Sequence, residues 1–85
     1  MSFVTETWTV ELQLSEHDGV THAEARLHSG LDQALTGSGT ARLSPHDAKD
    51  VAEIGYELAA ARALVHLGEN LLTTAELDVD ALFAS

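Results

Sequence analysis

The stretch that most constrains this chain is Asp50–Thr74, DVAEIGYELAAARALVHLGENLLTT, which reads as one long amphipathic helix. Val51, Ile54, Leu58, Ala61, Val65 and Leu72 recur at three-, four- and seven-residue steps, the spacing of one face of a 3.6-residue period. That face is expected to be the buried one. Everything ahead of it reads as short strands, which become stable only by covering a helix.

Thr5–Ser15 alternates cleanly, with Trp8, Val10, Leu12 and Leu14 on one side and Thr7, Thr9, Glu11 and Gln13 on the other. This is the pattern of a half-buried strand with its apolar side on the core. Glu16-His17-Asp18-Gly19 follows as a turn, with Gly19 able to supply the positive φ of a tight hairpin. Val20–His28 reads as a second strand, with Ala23, Ala25 and Leu27 inward and His22, Glu24, Arg26 and His28 outward. After the loop Ser29-Gly30-Leu31-Asp32-Gln33, a third strand spans Leu35–Leu43, with Leu35, Gly37, Gly39, Ala41 and Leu43 facing the core. Two glycines on one strand face imply close approach of another backbone. With Ala23, Ala25 and Ala41 they make a shallow floor for a helix rich in alanine (Ala59, Ala60, Ala61, Ala63), Trp8 and Leu58 filling the gaps.

Ser44-Pro45-His46-Asp47 carries the marks of a helix start. Ser44 suits the cap, Pro45 the first turn and Asp47 the capping-box acid. Leu77-Asp78-Val79-Asp80-Ala81-Leu82-Phe83 reads as a fraying turn or short helix at the end. The expected fold is therefore α+β, a three-stranded antiparallel sheet packed on one long C-terminal helix, in the order β-β-β-α. Residues 1–85 are expected to form a single domain.

Three blocks carry a family resemblance: EHDGVTHAEARL (16–27), TGSGTARLSP (36–45) and VAEIGYELAAARALVHLGENLL (51–72). Together they resemble a family of small actinobacterial proteins grouped as a domain of unknown function, with a fold like the double-stranded-RNA-binding domain. The resemblance implies the same sheet and helix, without that domain's first helix. It implies no activity, because fold does not confer function.

Charge then weighs on the nucleic-acid reading that such a fold invites. Fourteen acids stand against Arg26, Arg42, Lys49 and Arg62, a formal net charge of −10. Such a surface repels phosphate backbones and anionic lipid. The hairpin loop and the helix start, where RNA-binding members of the fold touch the duplex, are acidic here. A nucleic-acid-binding module is the alternative reading, not the first.

Catalytic, cofactor and metal sites have no signature. The chain has no cysteine. His17, His22, His28, His46 and His66 show no ligand spacing, and a structural zinc site wants four converging ligands. Ser44, His46 and Asp47 have the residue types of a triad but are explained by capping. Thr36-Gly37-Ser38-Gly39-Thr40 lacks the helix that a phosphate loop needs directly after it. Leu58–Gly68, the longest near-apolar stretch, is broken by Arg62 and His66 and is too short to span a bilayer. No basic flank and apolar run marks a secretory signal, so a cytoplasmic location is expected.

One feature points to a partner. Ala60, Leu64, Leu67 and Leu71 form a second apolar stripe on the long helix, rotated roughly 120° from the first. Either Leu77, Leu82 and Phe83 fold back over it, or a partner covers it, most simply a second copy. The expected function is a non-enzymatic protein–protein contact module that self-associates as a homodimer through this stripe, with no cofactor.

Overall fold

The computed structural model of the chain describes residues 3–30, 34–42 and 50–84, with the backbone alone at 50–52. Three strands, β1 (Thr9–His17), β2 (Val20–His28) and β3 (Thr36–Arg42), precede one helix, α1 (Asp50–Phe83). The sheet is antiparallel in the order β1-β2-β3. This is the α+β arrangement expected from the sequence.

The β1–β2 turn is Asp18-Gly19, with φ of 51° and 75°. Positive φ at both central residues matches the right-handed twist of the flanking strands. Because the turn takes only two residues, Glu16 and His17 belong to β1, whose start lies at Thr9 rather than Thr5. Opposite residues in the ladder share a face. Val10, Leu12 and Leu14 pair with Leu27, Ala25 and Ala23, and Ala23 and Ala25 in turn pair with Gly39 and Gly37. All of these lie on the helix side of the sheet. Gln13, Glu24 and Ser38 share the other, polar side.

The helix lies over β3 and β2 and scarcely reaches β1. A Cβ built on Gly39 would stand 2.5 Å from the Ala63 nitrogen and 2.6 Å from the Ala59 oxygen. One built on Gly37 would strike the backbone of Leu67 and Ala63. The helix backbone thus rests directly on the glycine pair of β3, the close approach that two glycines on one strand face imply.

The core is correspondingly small-sided: Ala23, Ala25, Leu27 and Ala41 from the sheet meet Ala59, Ala63 and Leu67 from the helix. The row that packs is therefore Gly55, Ala59, Ala63 and Leu67, at four-residue steps. This corrects the expectation that Ile54, Leu58, Ala61, Val65 and Leu72 are buried, since all five are exposed. The physical reason is the floor itself. Alanine and glycine strands let the helix backbone close in where Gly55, Ala59 and Ala63 face them, with Leu67 the one large side chain in that row, so the bulky row turns outward.

Two further expectations are corrected. Trp8 is 41% exposed and does not fill the core, because α1 sits over the opposite half of the sheet and Trp8 Nε1 donates to Glu6 Oε2 at 2.8 Å. The segment 77–83, expected as a fraying turn or a short helix, instead continues α1. The helix runs unbroken through Leu77 to Phe83, and Leu77, Leu82 and Phe83 stay exposed. The helix-start residues Ser44, Pro45, His46 and Asp47, together with Leu31, Asp32, Gln33, Leu43 and Lys49, lie outside the described residues, as does the side chain of Val51.

Candidate association surface

The flank of α1 over β3 is polar and already engaged. Arg62 NH1 donates to Thr40 O at 2.7 Å, Asn70 Nδ2 donates to Thr36 O at 2.7 Å, and Ser38 N donates to His66 Nδ1 at 2.9 Å. These three helix side chains occupy backbone groups of β3, the sheet's edge strand. An open strand edge templates pairing with another chain, and here side chains from the helix close it. His66, one of the five candidate ligands, is thus a structural acceptor.

The remaining described histidines are surface groups. His17 Nε2 lies 3.2 Å from Asp18 Oδ2 with both side chains almost fully exposed, and His28 Nε2 lies 3.9 Å from Glu11 Oε1. Arg26 NH2 lies 3.3 Å from Glu24 Oε1. Exposed pairs of this kind contribute little to stability. Among the described residues, no three His, Asp or Glu side chains come together so as to hold a metal ion. One depression, about 720 Å³, is an open concavity on the polar side of the sheet between Gln13, Ser15, His22, Glu24, Ser38 and Thr40. Among the described residues, no helix is long and apolar enough to cross a membrane.

The other sides of α1 are apolar. Of the four residues expected to form an association stripe, Leu67 is 5% exposed and belongs to the core. Ala60 and Leu71 are part-buried, Leu71 packing against that core, and Leu64 is half-exposed. At about 100° per residue these lie on the flank opposite Arg62 and His66, which is the flank toward β1. There the β1 row Val10, Leu12 and Leu14 also stands half-exposed.

The back of the helix is the larger surface. Ile54, Leu58, Val65, Leu72 and Val79 are 50%, 40%, 61%, 61% and 50% exposed. Ala61, Gly68 and Ala75 lie exposed between them. The sequence pattern picks out Ile54, Leu58, Ala61, Val65 and Leu72 of this row but points them at the core. The signal that separates the two roles is bulk, because only the smaller-sided row matches the glycine floor.

A comparison with known families decides the relationship. The family described as Rv2632c-like matches residues 6–85. The chain belongs to the Rv2632c-like family. It is 44% identical over 79 residues to the uncharacterized protein MT1780 of Mycobacterium tuberculosis (strain CDC 1551 / Oshkosh), covering 93% of this chain and 82% of that protein. It is 42% identical over 78 residues to the uncharacterized protein Rv2632c of Mycobacterium tuberculosis (strain ATCC 25618 / H37Rv), covering 92% of this chain and 82% of the relative. The crystal structure of Rv2632c superposes with a TM-score of 0.89 at 39% identity, over 100% of this chain and 99% of that one. The names of these relatives carry no enzymatic activity.

Proposed function

We propose that this Rv2632c-like chain is a non-enzymatic association module whose partner is a second copy of itself. The observation that carries this reading is the back of α1. A helix packed on one sheet needs a single apolar side, yet here bulky apolar residues run along the solvent side for seven turns. A row of that length is unusual on the surface of a monomer. A symmetric dimer buries the same patch on both subunits, the commonest solution for small homo-oligomers.

The charge of −10 per chain opposes pairing. Dimerisation should therefore strengthen as added salt screens the repulsion. The test is light scattering coupled to size exclusion, on wild type and on the double variant Leu58→Glu, Val65→Glu. Wild type at ~100 μM, where specific dimers persist, should have about twice the single-chain mass of 9.0 kDa. The variant should be a folded monomer, because both substituted side chains face solvent in the single chain. A monomeric wild type, or a variant that still dimerises, contradicts the reading.

A further inference from the structure

The outward row has a stricter period than an amphipathic helix requires. Ile54, Leu58, Ala61, Val65, Gly68, Leu72, Ala75 and Val79 follow one another at alternating steps of four and three, and every one is exposed. That is a 3.5-residue repeat sustained over more than three heptads, the pattern of a coiled-coil seam. The core row of the same helix keeps steps of four instead.

We infer that α1 pairs with α1 of a second copy as an antiparallel coiled coil, with Val65 of each chain set against Gly68 of the other. The inference rests on the self-association reading and specifies its geometry. Bulk decides the direction. With Val65 facing the partner's Gly68, Leu58 meets the partner's Ala75, and Leu72 meets the partner's Ala61. Each large knob has a small hole, and Ile54 closes the ends against the partner's Val79. A parallel pair would set Ala61, Gly68 and Ala75 against themselves, leaving voids between crowded leucine and valine layers. It would also align the two helix dipoles unfavourably.

The flanks agree with the same register. Leu64, half-exposed in the single chain, comes beside the partner's Leu71, and Arg62 comes beside the partner's Glu69. Glu57 faces the partner's Asp78, a repulsion that salt relieves. Gly68 fits as well. A Cβ built there meets nothing within 4 Å in the single chain, so its glycine is explained by no contact inside the fold. From Ile54 to Val79 the seam is about 38 Å long and buries on the order of 800 Å² per partner, the size of a stable interface. The two sheets then lie on the outside of a sheet–helix–helix–sheet stack.

The chain has no cysteine, which makes single-thiol crosslinking clean. Ala61→Cys and Leu72→Cys are prepared separately, one carrying a mass tag, and oxidised alone and as a mixture. The antiparallel register predicts a disulfide-linked heterodimer in the mixture and little crosslinking in either protein alone. Self-crosslinking of each variant without the mixed species means a parallel pair and overturns the proposal. No crosslink in any sample, with wild type dimeric by light scattering, also overturns it and moves the interface elsewhere, while self-association stands. A monomeric wild type removes both. A second pair of variants removes dependence on disulfide geometry. Gly68→Val should weaken dimerisation at least tenfold while the monomer stays folded, and adding Val65→Ala should restore it by exchanging knob and hole. Unchanged dimerisation of Gly68→Val contradicts the register.

Discussion

Gly39 of the third strand and Ala63 of the helix meet backbone against backbone, so closely that a single methyl group on Gly39 would stand 2.5 Å from the Ala63 nitrogen. The fold is built around that approach. Gly39→Ala should therefore destabilise by about 3 kcal/mol, the upper range of overpacking, since neither backbone can retreat. Gly68→Ala, which adds the same methyl to open space on the helix, should stabilise the single chain by about 1 kcal/mol. Thermal melts of the two variants check the contrast, and equal shifts would contradict the packing.

Leu67 and Leu64 separate core from surface on one helix. Leu67 is 5% exposed against the sheet, so Leu67→Ala should cost about 3 kcal/mol. Leu64→Ala, at 42% exposure, should cost about 1 kcal/mol at most in the single chain. Trp8→Ala should fall near 2 kcal/mol, below the loss of a fully buried tryptophan. Denaturant midpoints measured at low protein concentration, where association does not contribute, settle all three.

Arg62, His66 and Asn70 occupy the backbone edge of β3. Replacing all three with alanine should leave that edge open and make the chain more prone to aggregate than wild type. Turbidity and thioflavin fluorescence during incubation near the melting temperature would read this out. A triple variant as soluble as wild type would show that the bonds do not guard the edge.

The elements were legible in the sequence because each has a clean local code. Alternation marks the strands, Asp18-Gly19 marks the hairpin, and the 3.6-residue recurrence marks the helix. Gly37 and Gly39 even announced a close backbone neighbour. The helix's rotation was not legible. Hydrophobic periodicity follows bulk, so it selects Ile54, Leu58 and Val65, whereas the floor of Ala23, Ala25, Gly37, Gly39 and Ala41 receives Gly55, Ala59, Ala63 and Leu67. A helix with apolar rows on several sides cannot be oriented by periodicity alone. The same ambiguity placed Trp8 in the core, because alternation shows which face a side chain shares but not how far across that face the helix reaches. The edge contacts of Arg62, His66 and Asn70 join residues 22 to 34 positions apart and leave no local trace.

Nucleic acid should not bind. Asp18 lies in the hairpin turn, and Arg26 faces Glu24, while a net charge of −10 repels phosphate. Phosphate contacts supply most of such affinity and rest on unpaired cations. A gel shift with duplex RNA or DNA at micromolar protein and physiological salt should show no retarded band. A salt-sensitive shift would instead support the nucleic-acid-binding reading.

Self-association is the claim on which the rest turns, and small-angle scattering in solution tests it most directly. It returns mass and size from the same sample. The single chain has a Cα radius of gyration of 17.0 Å and a mass of 9.0 kDa. At ~100 μM the forward scattering should report about twice that mass, with a radius of gyration clearly above 17.0 Å. Both should fall toward the single-chain values on dilution and rise again with salt. A 9.0 kDa scatterer near 17.0 Å, unchanged by concentration and salt, would contradict the account.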